Sequence, residues 1–203
     1  MARARLNRSQ ARRRQIIRAA LDCFGEYGYE QAGMALIRKR SGASTGSIYH
    51  HFKSKDQLAA AVYLEGILDW QAGFLEELER HEDAEAGIFA IVRFHLDWVS
   101  RNPDWARYLF QMRRLDFMST VEKDIDRANN RFFERVGAWF RRHIETGRLK
   151  ILPKELYVSI LMGPSQDFAR HLLSGPSTTD LDTAAKALGE AAWQSLKGKK
   201  KSR

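Results

Sequence analysis

Residues Gly42–Gln57 read GASTGSIYHHFKSKDQ. Glycine followed by small polar residues makes a tight turn. Thr45–His51 then reads as a short helix anchored inward by Ile48 and Phe52. Ser54 and Gln57 have the spacing of a capping box, so a further helix opens there. Hydroxyls, a glycine, a phenol and two imidazoles on a short helix, with Lys53 and Lys55 beside it, are the chemistry of a helix that enters a DNA groove.

Charge supports that reading independently. Residues 1–55 carry twelve Lys or Arg and three acids, a surplus equal to the whole net charge of +9. The remainder balances at 22 basic and 22 acidic residues, five of the basic ones in the closing KGKKKSR. A basic head on a neutral-to-acidic body is the footprint of a polyanion-binding module joined to a second function. The arginines from Arg3 to Arg14 form either an arm suited to a minor groove or to phosphates, or an untethered, disordered tail.

The rest of the chain predicts an all-α protein of about nine helices, with no period-2 strand. The helices are expected over about residues 9–27, 33–40, 45–51, 54–81, 84–101, 103–114, 120–146, 153–173 and 179–196. Ile17, Ala20, Leu21 and Phe24 give the first helix one apolar face, and Gly28 ends it. Asn102-Pro103-Asp104 reads as cap, first helical position and first-turn acid. Gly163-Pro164 should kink the eighth helix. The division expected is a helix-turn-helix domain with its arm over 1–53, a second helical domain over 54–196, and a basic disordered tail over 197–203.

Composition removes several classes. The single cysteine, Cys23, permits no intramolecular disulfide, and no apolar run approaches a membrane span. The N-terminal stretch lacks the apolar core of a signal peptide. A cytoplasmic protein without a membrane partner is expected. No nucleophile elbow, phosphate-cradling glycine loop or paired carboxylates emerge, so an enzyme is not expected, and no cofactor is implied. His50 and His51 are adjacent, hence about 100° apart on a helix, and do not converge on a metal. The other histidines read as partly buried polar residues.

The stretches RRQIIRAALDCFGEYGYE, IRKRSGAS and TGSIYHHFKSKDQLAAAV together resemble the tetracycline-repressor (TetR) family of bacterial transcriptional regulators. The resemblance covers about Arg13 to Val62, with its signature in Tyr49-x-x-Phe52-x-x-Lys55. It departs where the family usually caps the second helix with threonine, since Ala32-Gly33 stands there, and where the family usually has alanine, since Arg38 stands there.

By position, the resemblance implies DNA contacts from Ser44, Thr45, Gly46, Ser47, Tyr49, His50 and His51, with Lys55 on a phosphate and Arg38 as an extra backbone contact. It implies a homodimer formed by the last two helices, through Leu156, Ile160, Leu161, Phe168, Leu172, Leu188, Ala192 and Trp193. It also implies a small-molecule effector, hydrophobic or aromatic, held by Trp70, Phe74, Phe94, Trp98, Tyr108, Met112, Phe117, Trp139 and Phe168. The function expected is a repressor that binds a palindromic operator and is released by its effector. A different class stays open: a small-molecule-binding helical bundle whose basic head binds RNA or anionic surfaces non-specifically.

Overall fold

The computed structural model describes residues 2–112, 122–175 and 177–198. Among these residues the chain forms nine helices and no strand. They are α1 (Ala2–Gln31), α2 (Met34–Ser41), α3 (Thr45–His51), α4 (Lys55–Glu79), α5 (Ala84–Arg101), α6 (Pro103–Met112), α7 (Glu122–Glu145), α8 (Lys154–Ser174) and α9 (Leu181–Leu196).

Two compact units share this chain. The first takes α1 to α3, α4 as far as Leu68, α6 from Asp104 and the start of α7 to Arg127; the second takes the rest. The geometric division thus falls inside α4, whereas a division by charge and motif falls at its start.

In the first unit, Ile16, Ile17, Ala20, Leu21 and Phe24 recur at helical spacing along α1 and are buried. They pack with Ile37 of α2, Ile48 of α3, Phe52 and the α4 residues Leu58, Ala59 and Val62. Gly28 leaves helical geometry at φ 77°, as expected of a C-terminal glycine, but one more turn runs on to Gln31. At its other end α1 begins at Ala2, so the basic arm continues the helix back from residue 9.

In the second unit, α5 packs against α8 and α9, and α8 against α9. Ile88, Ile91, Val92, Phe132, Trp139, Phe140, Leu161, Met162, Ala192 and Leu196 fill its core. Ala184, Ala185, Gly189 and Ala192 form the buried face of α9. Gly189 is needed for that approach: a Cβ there would lie 2.7 Å from Cδ1 of Phe89 on α5.

Side-chain capping sets several of the helix starts. Asp83 accepts from the Ala86 amide at 3.0 Å and Asp180 from the Thr183 amide at 2.8 Å. Asn102 departs from its expected role. Its amide Nδ2 donates to Trp98 O at 3.0 Å, so its side chain closes α5 and does not cap α6. Pro164 lies inside α8, which continues to Ser174 without a break, although the ring removes one backbone donor. Lys197 and Gly198 fall outside α9 yet are held: the Gly198 amide donates to Arg148 O at 2.7 Å, and Lys197 bridges to Leu149. The rest of the KGKKKSR tail, 199–203, lies outside the described residues.

Candidate nucleic-acid interface

The turn into α3 is built from local chemistry. Gly42 closes α2 in the left-handed region, at φ 61° and ψ 16°, where a Cβ is strained. Ser41 is buried beneath the turn. Its hydroxyl donates to Arg38 O at 3.1 Å and accepts from the Ala43 amide at 3.3 Å. Ser44 is the N-cap of α3, accepting from the Ser47 amide at 3.2 Å.

Two faces of α3 then separate. Ile48, 1% exposed, and Phe52, 2% exposed, plug into the core. Thr45, Gly46, Tyr49 and His50 are exposed, and Tyr49 shows 45% of its surface. Thr45 and Tyr49 stand one turn apart, as do Gly46 and His50, so the four make one outward patch. Ser47 and His51 lie half-buried at its margins. A Cβ on Gly46 would meet nothing within 4 Å, so nothing inside the chain requires glycine at that position.

The two histidine rings meet edge to face with centroids 5.1 Å apart. Partial burial, then the neighbouring His50 and Arg13, lowers the pKa of His51. That imidazole is therefore biased toward its neutral form.

The cations around α3 divide by what they touch. Arg38 is exposed at the end of α2. Arg40 pairs with Glu26 at 2.5 Å, and Arg13 lies 3.6 Å from Glu65 and over the Phe52 ring. Lys53 Nζ donates to Tyr49 O at 2.9 Å, which tethers the end of α3. Lys55 is the correction to the outward reading. Its ammonium donates to Tyr29 O at 2.9 Å and Glu30 O at 3.2 Å, 4.3 Å from the Tyr29 ring centroid. Tyr29 in turn donates to Asp56. Lys55 braces the end of α1 against the start of α4, and a phosphate must compete with two carbonyls for it. The capping box also forms with a shift. The Gln57 backbone N–H donates to Ser54 Oγ at 3.1 Å, but the Gln57 side-chain Oε1 accepts from the Lys53 amide at 2.7 Å.

The expected effector wall does not form one group. Trp70, Phe74 and Phe94 do cluster, together with Phe132 and His95, which the sequence reading missed. Trp139 lies in the same hydrophobic core but meets other rings, 5.2 Å from Phe140 and 4.2 Å from His143, and its indole donates to His81 O at 3.0 Å. Trp98 donates to Asp69 at 2.8 Å, joining α5 to α4. Tyr108 and Met112 must be reassigned to the core of the first unit. The Tyr108 hydroxyl donates to Ala59 O at 2.8 Å while its ring stacks on Phe24. Phe168 is half-buried on α8, and Phe117 lies outside the described residues.

Among the expected dimer contacts, Leu161 and Ala192 are corrected likewise, because their side chains are buried in the chain's own core. Leu156 is 45% exposed, and Ile160, Leu172, Leu188 and Trp193 are half-buried, so these five retain surface for a partner.

The comparisons agree with this geometry. Residues 16–62 match the family described as "Bacterial regulatory proteins, tetR family". The chain is 25% identical to the HTH-type transcriptional repressor AcnR of Corynebacterium glutamicum, over 83% of this chain and 86% of that protein. It is 27% identical to the HTH-type transcriptional activator FasR of Mycolicibacterium smegmatis, over 91% and 83%. In fold it is similar to a TetR family transcription regulator from Marinobacter aquaeolei, with TM-score 0.78 at 17% identity, covering 95% of this chain and 99% of that one. In sequence and fold the chain is thus similar to TetR-family transcriptional regulators, and residues 16–62 carry the match to that family itself.

Proposed function

We propose that this regulator binds a palindromic operator as a homodimer, represses from it, and is released by a small hydrophobic or aromatic effector. The observation that carries the DNA reading is the outward patch of Thr45, Gly46, Tyr49 and His50 on a helix whose other face is locked by Ile48 and Phe52. Thr45 and Ser47 offer hydroxyls to base edges, and Tyr49 and His50 pack on sugar, thymine methyl or phosphate. Gly46 has open space outside it, so the constraint that suits glycine is close approach of a DNA backbone. Ser44, His51 and Arg38 stand at the rim, and Lys55 joins if phosphate outcompetes its carbonyls.

Two recognition helices must sit about 34 Å apart to read successive major grooves, which requires a dimer. Leu156, Ile160, Leu172, Leu188 and Trp193 are its proposed contacts, and repression follows the relative AcnR in sign. The cluster of Trp70, Phe74 and Phe94 is the proposed effector region. Because α4 contributes residues to both units, a shift of its second half is passed along one helix toward Lys55. Effector and DNA affinity then oppose each other reciprocally.

Selection of bound sequences from random duplex DNA by the purified full chain tests this. Two inverted half-sites about one helical turn apart are expected. Absence of any enriched sequence sinks the proposal.

A further inference from the structure

In the second unit, His95 has chemistry that packing uses only on one side. It lies on the buried stripe of α5 with Ile88, Ile91, Val92 and Val99, and it is 3% exposed. The indole Nε1–H of Trp70 donates to His95 Nδ1 at 3.2 Å. An imidazole that accepts at Nδ1 carries its proton at Nε2, on the other side of the ring. Burial alone pushes the His95 pKa down to about 4, which keeps the ring in this neutral, single-donor form near neutral pH. Nε2 is buried and has no hydrogen-bond partner among the described residues. A buried donor without an acceptor is rare in folded proteins because it forfeits its hydration for nothing.

Trp70, the ring that meets His95, is itself surrounded by aromatic rings, and the group draws on three helices. Trp70 and Phe74 stand on α4, Phe94 on α5 and Phe132 on α7. Trp70 lies 5.1 Å from Phe74, 6.5 Å from Phe94 and 5.7 Å from Phe132 by ring centroids. Trp70 and Phe94 are half-buried, so the cluster is not sealed by its own rings. His143 is the other buried histidine with an unpartnered Nε2, but charged Arg142, Arg148 and Asp83 act on it. No charged group contributes to the shift at His95.

We propose that the Nε2–H of His95 is the polar anchor of an effector site, and that the effector is an uncharged, largely apolar molecule presenting a carbonyl-type oxygen. This rests on the reading of the chain as an effector-responsive regulator and specifies the effector's chemistry. A carboxylate is disfavoured. Burial is the one cause of the His95 shift, so no charge acts on the ring that could compensate a buried anion. An anion bound there would lose hydration for little in return. A neutral carbonyl needs one donor, and His95 supplies one. Gln71, buried beside Trp70, already uses its amide on Asn129 at 2.8 Å.

The test uses the full chain and three probes of matched shape: acetylnaphthalene, ethylnaphthalene and naphthoate. Affinity is read by calorimetry, and the Nε2–H by proton–nitrogen correlation spectra of histidine-labelled protein. Acetylnaphthalene should bind about tenfold tighter than the hydrocarbon, the worth of one hydrogen bond to a buried donor. It should also bind tighter than the carboxylate and shift the His95 Nε2–H resonance. His95→Phe should abolish the preference, whereas His95→Gln, which keeps an N–H at similar reach, should restore part of it. If His95→Phe does not fold, the wild-type spectra and His95→Gln still decide. Equal affinity for ketone and hydrocarbon, no binding of the ketone, or an unmoved Nε2–H resonance overturns the proposal. A chain that selects an operator yet shows no ketone preference loses the anchor and keeps the regulator reading. A chain that prefers the ketone through His95 yet selects no DNA sequence loses the regulator reading and keeps the site.

Discussion

The outward face of α3 and the aromatic cluster around His95 are built on opposite plans. On α3 the residues proposed to act are exposed, and the buried ones hold them still: Ile48 and Phe52 anchor the helix, and Ser44 caps it. Around His95 the group proposed to act is itself buried, and its partner Trp70 on α4 packs in turn on rings from α5 and α7. Function on α3 can be removed without touching stability. Function at His95 cannot be separated from it, because the same burial sets the protonation state, the tautomer and the cost of an unmet donor.

The largest effect should come from the anchor of α3. Phe52→Ala deletes a fully buried ring and should cost about 3–5 kcal/mol, read as a lower denaturation midpoint with loss of all DNA binding. The contrast breaks if Phe52→Ala leaves sequence-selective binding intact, since α3 would then not depend on its buried face.

Next comes pH. His95 titrates in the folded chain at about 4, against an ordinary value of about 6.5. Between these values the unfolded chain binds a proton that the folded chain refuses, so acid favours unfolding. The stability concerned is complete above about pH 6.5 and is lost as pH falls toward about 4, on the order of 3 kcal/mol. His95→Gln has no titrating ring and should lose less over the same interval. Denaturant midpoints of the two proteins at both ends of the interval measure the difference, and parallel losses would remove His95 from the account.

These two regions also differ in how far sequence alone reveals them. The turn at Gly42, the cap at Ser44 and the box at Ser54–Gln57 are local: each depends on residues within four positions, so spacing shows them. Even there, a long side chain escapes. Lys55 reaches back to Tyr29 and Glu30, which no local spacing announces. In the body, Trp70, Phe74 and Phe94 were recognisable as aromatic, yet whether Tyr108 joins them or stacks on Phe24 depends on contacts between residues far apart in sequence. His95 left one local trace, a polar residue at a core position of the α5 stripe, but its partner Trp70 stands 25 residues away. The same holds for α9. Its small residues announce close packing, but not that α5 of the same chain occupies that face.

A smaller effect tests that last point. Gly189→Leu forces a side chain into the Phe89 ring and should destabilise the second unit by about 1–3 kcal/mol. If α9 met a partner chain through this face instead, the substitution would shift the monomer–dimer equilibrium while leaving the melting of the dilute monomer unchanged. Sedimentation and thermal melts on one sample distinguish the two.

The smallest stability change carries the sharpest functional one. Tyr49 stands on the open side of α3, and its ring adds little to the core that Ile48 already fills. Tyr49→Ala should move stability by no more than about 0.5 kcal/mol. The same change should weaken binding to the selected operator by about 1–3 kcal/mol, while affinity for random duplex, dominated by phosphate contacts, falls much less. Competition between operator and random DNA at fixed salt measures that ratio. A fall in both affinities by equal factors would mean that Tyr49 meets the backbone and not the bases, and the reading of sequence would then pass to Thr45, Ser47 and His50. A loss of stability comparable to that of Phe52→Ala would mean that the exposed ring is structural, and the separation between a fixed inner face and a replaceable outer one would not hold for this helix.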